Sequence, residues 1–355
     1  MDFNFTEAQH DLAGLARAVL ADRPVSETAG DSGFDPALWA SMSKAGLIDA
    51  ALPAPVGDGY GLPEQCSVLI EIGRAIAPAP YATSVAVAAT AIATFGDQEQ
   101  HRRWAAPVAA GATTVAVALG TEDDGFRAVP TATGWQVTGS HSAVPAGAFA
   151  DAFLIESATP HGPILLVLDR DTPGLRITAQ RVVDGTDAAL VELDGAGVPA
   201  AHVLGAPGGG AAEWAHRRAR IATCAHQLGV LERALELTAE YAVTRQQFDK
   251  PIGSFQAVRQ RLADAHIDVE AVRLTMWQAA WREDRGLAAD AEIATAKFWA
   301  AEAGHRVAHT MVHVHASIGI FLEYPVHRYF LAAKRNEFQF GAATEQLRHL
   351  AATLS

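Results

Sequence analysis

Apolar positions along this chain change period twice. Over residues 7–21, 36–45, 63–77, 84–95 and 98–110 they recur every three or four positions, which predicts amphipathic helices. Thr6 stands where an N-cap for the first of them belongs. Turn residues separate the segments, notably Gly57-Asp58-Gly59 and Pro78-Ala79-Pro80. From Thr114 the texture becomes short and strand-like, at 115–119, 134–137, 153–156, 164–168, 175–178 and 189–193. Asp171-Thr172-Pro173-Gly174 and Asp194-Gly195 punctuate these runs, and the last of them ends before Gly205. Gly208-Gly209-Gly210 reads as a joint, after which helical spacing returns over 211–247, 255–282, 288–319 and 326–350. The predicted fold class is α+β, mostly α. A helical domain occupies 1–113, a small antiparallel β domain 114–206, and an antiparallel helix bundle 207–355.

Composition narrows the classes. A chain of 355 residues, 50% hydrophobic, is long enough for two or three domains or layers with ample core. No apolar run approaches the roughly 18 residues that suggest a membrane span. The opening segment carries Asp2 and Glu7 and lacks the basic head and apolar block of a signal peptide. Cys66 and Cys224 are too few and too far apart for a disulfide framework, and they read as buried thiols in a cytoplasmic protein. The net charge of −13 argues against a nucleic-acid partner. It leaves room for an anionic ligand, because the local clusters His216-Arg217-Arg218-Ala219-Arg220 and Arg245 to Lys250 are basic. Taken alone, each cluster reads as a solvated helix face. No Cys/His cluster has zinc-like spacing.

The densest signal is Thr244-Arg245-Gln246-Gln247-Phe248-Asp249-Lys250-Pro251-Ile252-Gly253-Ser254-Phe255-Gln256. A helix with apolar residues at Val230, Ala234, Leu237, Tyr241 and Ala242 runs into it. Pro251 and Gly253 break that pattern, and a second helix begins near Gln256. Such a corner presents Arg245 and Phe248 to solvent, an anion-binding group beside an aromatic surface.

This string closely resembles the flavin-contacting corner of the acyl-CoA dehydrogenase family. Other segments fit the family's pattern in the same order: residues 1–9, Trp39 with Lys44-Ala45-Gly46-Leu47, the turn 55–61, Glu71-Ile72-Gly73-Arg74 with the residues to Tyr81, Gly319 to Pro325, and His327-Arg328. The resemblance implies α,β-dehydrogenation of an acyl-CoA thioester with FAD as cofactor. In that chemistry a Glu removes the proton beside the thioester carbonyl and a hydride passes to the flavin N5. It also implies Arg245, Phe248, Gln256, Thr121, His313 and Ser317 as cofactor-binding residues, and Arg220 with Thr223 as substrate-contacting residues.

Against that family pattern the departures are specific. The segment that carries the base in most members corresponds to Phe340-Gly341-Ala342, with Phe340 in place of the Glu. The alternative position, on the helix after the β domain, holds Ala219, followed by a matching Arg220. His226, seven residues beyond Ala219, is the one substitute base on that helix face, and a hydrogen-bonded core histidine is its simpler reading. Glu337 and Glu345 flank Phe340 with the wrong spacing. In the flavin loop Thr121, Glu122 and Gly125 match, while Asp123 replaces a proline and Phe126 a serine. In 141–145, Ala143 stands where the ring that packs on the flavin belongs, and Pro145 where the hydroxyl belongs. His313 replaces a glutamine, and Ala316-Ser317 replace two glycines. Loss of both base positions, the aromatic ring and the hydroxyl implies a degenerate subunit. It would pair with a competent paralogous subunit in a dimer or tetramer handling bulky acyl-CoA substrates, steroid side chains among them. The alternatives are a self-sufficient enzyme whose base has moved and a purely structural or regulatory paralogue. Ala219, Ala222 and Ala225 hint at a roomy pocket but leave the acyl group unspecified.

Overall fold

The computed structural model describes residues 4–22, 34–120 and 125–354. Helices α1 (Glu7–Ala21), α2 (Pro36–Lys44), α3 (Leu62–Ala75), α4 (Thr90–Phe95), α5 (Gln98–Gln100) and α6 (Ala106–Ala109) come first, with π-helical stretches at Ala82–Ala89 and His101–Ala105. Strands β1 (Val115–Ala118), β2 (Arg127–Pro130), β3 (Gly134–Pro145), β4 (Ala152–Ser157), β5 (Ile164–Asp169), β6 (Leu175–Arg181), β7 (Asp187–Pro199) and β8 (Val203–Leu204) follow. Then come α7 (Ala211–Thr244), a ribbon of β9 (Gln246–Gln247) and β10 (Lys250–Pro251), α8 (Gln256–Asp284), α9 (Asp290–His315), α10 (Val326–Phe338) and α11 (Ala343–Leu354). The chain is α+β and mostly α, as its periodicity predicts.

Local chemistry sets several element starts. The Thr6 hydroxyl accepts from Gln9 N–H at 3.2 Å and the Gln9 side chain accepts from Thr6 N–H at 2.8 Å, a reciprocal cap for α1. Asp35 caps α2 by accepting from Ala37 and Leu38 N–H, with Pro36 in the first turn.

The residues gather into two compact units. Of the described residues the mixed unit holds 22, 34–61, 78–120 and 125–219. Its strands form two four-stranded sheets, β1-β4-β5-β8 and β2-β3-β7-β6. Pairing is antiparallel apart from β1 with β4, which is parallel. Their apolar residues share one core around Phe126, Phe153, Leu166 and Val191.

The helical unit holds residues 4–21, 62–77 and 220–354. Here α3 packs on α1 and α8, while α9 packs on α8, α10 and α11. Arg74 of α3 pairs with Glu232 and Glu236 of α7, both at 2.8 Å, and Glu232 also pairs with Arg273 of α8 at 2.6 Å. One finding departs from the periodicity. The single helix expected over 326–350 is two, α10 and α11, parted by Phe340 at φ +55° and Gly341 at φ +96°.

Candidate functional site

The corner 245–256 is a ribbon rather than a plain loop. α7 ends as Arg245 N–H donates to Tyr241 O, and the chain returns when Ile252 N–H donates to Arg245 O, each at 2.8 Å. Gln247 pairs with Lys250 across a two-residue turn. Both turn residues are left-handed, Phe248 at φ +53° and Asp249 at φ +64°, as such a tight hairpin demands. The turn leaves Phe248 86% exposed. Lys250 Nζ lies 4.5 Å from the centre of the Phe255 ring, which fixes the ribbon over the start of α8. Arg245 at the base, Phe248 at the tip and Gln256 at the start of α8 are all exposed.

The end of α9 approaches the end of α7 through a ring stack. His315, buried, lies on Tyr241 with centroids 4.4 Å apart. Its Nδ1 is 2.9 Å from Met311 O, so the neutral ring carries its proton there, and Nε2 is buried without a partner. Burial pushes its pKa down, opposed by the Met311 carbonyl. His315 is thus a packing residue, while His313 and Ser317 are exposed. Between them Ala316 adopts φ +55°, ψ −140°, a conformation suited to glycine, and carries a Cβ there.

Phe340 sits on a turn held by its backbone. Lys297 of α9, completely buried, donates from Nζ to the carbonyls of Asn336 (3.1 Å), Glu337 (3.1 Å) and Gly341 (2.9 Å). Gln346 of α11 donates to Phe340 O at 3.1 Å and Gly341 O at 3.2 Å. Burial pushes the Lys297 ammonium down to about 8 and the neighbouring Cys224 thiol up to about 12. Sequence reasoning missed Lys297. Its one signal was a lysine inside the alanine-rich run Ala294-Thr295-Ala296-Lys297. The flanking acids are engaged elsewhere: Glu337 pairs with Lys334 at 2.5 Å, and Glu345 accepts from Ala342 N–H at 2.7 Å.

Ala219 is buried and offers no acid. Beyond it, Arg220 Nη2 donates to His349 Nε2 at 3.3 Å, and its Nε is buried without a partner. Burial lowers the Arg220 pKa. Thr223 is buried. His226 belongs to a polar chain whose directions are fixed. Gln227 Nε2 donates to Ala300 O and Ala333 O, so its Oε1 must accept from Asn336 Nδ2, at 2.8 Å. The same amide nitrogen donates to His226 Nδ1 at 2.9 Å. A neutral His226 therefore carries its proton on Nε2, with the Nδ1 lone pair already in use.

In the mixed unit, Thr121 and Glu122 lie outside the described residues. Phe126 is fully buried in the sheet core. Ala143, at φ +53° within a register shift of β3 against β7, donates its N–H to Gln180 Oε1 at 2.8 Å. The cluster 216–220 is not a solvated basic face. His216 Nε2 donates to Glu156 Oε2 at 2.7 Å, and Arg218 is buried with its guanidinium 5.1 Å from the Trp214 ring centre. A flavin ring would meet neither an aromatic face at Ala143 nor a donor at Pro145, so these residues do not fit it. Exposed Arg245, Phe248 and Gln256 do fit its diphosphate and adenine end. Among the described residues no group of His, Cys, Asp or Glu could hold a metal ion, and no helix is long and apolar enough to cross a membrane.

Comparison with known proteins adds the following. The profile of the acyl-CoA dehydrogenase N-terminal domain matches residues 6–112, and that of the C-terminal domain matches residues 207–355. Acyl-CoA dehydrogenase FadE27 of Mycobacterium tuberculosis is 44% identical, covering 100% of this chain and 99% of its own. The crystal structure of the ChsE4-ChsE5 complex from the same organism contains a chain that superposes with a TM-score of 0.94 at 44% identity, over 100% of this chain and 99% of that one. A variant of the Tcur3481-Tcur3483 steroid ACAD gives 0.92 at 36% identity, over 98% of each chain.

Proposed function

The chain belongs to the acyl-CoA dehydrogenase family, and from that premise we propose that it is the degenerate subunit of a heteromeric, FAD-dependent acyl-CoA dehydrogenase. In this reading a competent paralogue supplies the base and the flavin-ring contacts. This chain lends Arg245, Phe248 and Gln256, with His313 and Ser317, to the diphosphate and adenine end of the cofactor. When bound, the flavin accepts the hydride. Arg220 and Thr223 are assigned to the substrate side and the three sequence segments, 1–113, 114–206 and 207–355, to the subunit's domains. The similarity to chains of complexes, one described as a steroid ACAD, supports a paralogous partner and a bulky acyl-CoA.

The observation that carries the reading is the identity of the residue on the clamped turn. Its backbone is rigidly held, yet it presents Phe340, which accepts no proton. Ala219 leaves the alternative position equally inert. The His226 hydrogen bond from Asn336 weighs against a relocated base there.

The test is turnover. The chain would be assayed alone and co-purified with a candidate paralogue, using a dye acceptor and acyl-CoA thioesters from short chains to steroid side chains. Negligible turnover alone, with turnover in the mixture that is lost when the partner's acid is replaced, is expected. A lone chain loaded with FAD and oxidising any acyl-CoA at a rate comparable to the complex would overturn the reading.

A further inference from the structure

At the exit of β1 one peptide group is held from both sides. Its carbonyl, the oxygen of Leu119, lies 3.0 Å from His141 Nε2. Its N–H, on Gly120, donates to Glu156 Oε2 at 2.8 Å. That same oxygen accepts from His216 Nε2 at 2.7 Å. Two titratable side chains, from β3 and β4, thus meet a single peptide, and a third, from α7, holds the second of them, all within the mixed unit.

The arrangement is costly unless it does something. Every residue of β4 is buried, and Glu156 is its one charged member. A carboxylate there gives up hydration, which only good donors offset. Burial, the largest influence, would raise its pKa, but the His216 hydrogen bond and charge with the Gly120 N–H hold it below the ordinary value. On the other side, His141 is braced. Donation to Leu119 O puts the proton of the neutral ring on Nε2, so Nδ1, 3.0 Å from Ser142 O, adds no hydrogen bond, and the ring stacks on buried Phe126 with centroids 6.4 Å apart. Gly120 has φ +125°, a conformation open to glycine, so local sterics alone leave the exit direction of the chain loosely set.

We propose that His141 and Glu156, the latter oriented by His216, are positioning residues that fix the Leu119–Gly120 peptide without help from a flavin. The inference rests on the degenerate-subunit reading, in which Ala143 and Pro145 leave this face of the chain with no ring to order it.

Hydrogen exchange resolved to single amides tests this, on the flavin-free chain, on the chain with added FAD and on the complex. The Gly120 amide is expected to be protected in the flavin-free chain and to change less than twofold with FAD. Glu156→Leu, which fills the space and accepts no hydrogen bond, should speed Gly120 exchange at least tenfold while Val117 and Leu154 keep their rates. Should that variant not fold, His141→Ala, at a partly exposed ring, carries the same expectation from the carbonyl side. Protection that appears only with FAD, or a Gly120 rate that neither variant moves, would overturn the clamp. Turnover by the lone chain would overturn the degenerate reading instead and would leave the Gly120 result to stand on its own.

Discussion

Gly73 of α3 and Gly229 of α7 form a reciprocal contact in which neither helix has room for a side chain. A Cβ on Gly73 would lie 2.1 Å from His226 O, and one on Gly229 would lie 1.9 Å from Ile70 O. Backbone therefore meets backbone, and Arg74 beside this point reaches Glu232 and Glu236. Gly229→Ala forces the helices apart and should destabilise the helical unit by at least about 2 kcal/mol. The check is a lower denaturant midpoint with an unchanged m-value.

Lys297→Met removes the donor to Asn336, Glu337 and Gly341 carbonyls. Orphaned buried acceptors cost about 1–3 kcal/mol each and do not add fully, so a loss of roughly 2–4 kcal/mol is expected. The pH dependence has a definite sign. The folded pKa, about 8, lies below the ordinary 10.5, so between these values the unfolded chain binds more protons. The stability of the natural chain relative to Lys297→Met should therefore grow as pH rises from 8 towards 10.5. Denaturant midpoints for both proteins at pH 7.5 and pH 10 measure it.

Arg245→Ala should lower the flavin content of the assembled complex while changing the stability of this chain by no more than about 0.5 kcal/mol, because the side chain is exposed. Visible absorbance per complex after gel filtration reads the first effect and thermal melting the second. Unchanged flavin content would remove Arg245 from the cofactor.

Phe340→Glu should give the lone chain no measurable acyl-CoA oxidation, although the turn would present a carboxylate. On the proposed assignment, Ala143 and Pro145 still offer the flavin ring neither an aromatic face nor a donor, and a base alone supplies about 100- to 10,000-fold of a much larger acceleration. Dye reduction by the purified variant, supplied with FAD, decides the matter.

The order of helices and strands was legible because burial imposes its period on each element separately. Thr6 with Gln9 and Asp35 with Pro36 show caps written within a few residues of each other. What stayed hidden depends on residues distant in sequence or on turns without the usual signals. Gly341 alone, inside a helical pattern, did not announce a break that Lys297 stabilises from 44 residues away. The ribbon at 246–251 uses Phe248 and Asp249 in left-handed conformations, where Asn-Gly would have signalled a hairpin. His216 read as part of a basic face because Glu156, its partner, lies on a strand 60 residues earlier in the sequence. The inert residues at 219 and 340 were visible at once, since residue identity needs no coordinates.

If the chain is the degenerate subunit proposed above, the turn at 340–341 bears on how it arises. Its hydrogen bonds run through main-chain oxygens and so do not involve the side chain of residue 340, whose φ of +55° is nonetheless costly for a bulky residue. On that reading, loss of an acid at this point would remove chemistry while leaving the main-chain hydrogen bonds of the turn in place. A duplicated copy can therefore drift to inactivity in one substitution while remaining a sound building block, free to be retained for what it contributes to its neighbour.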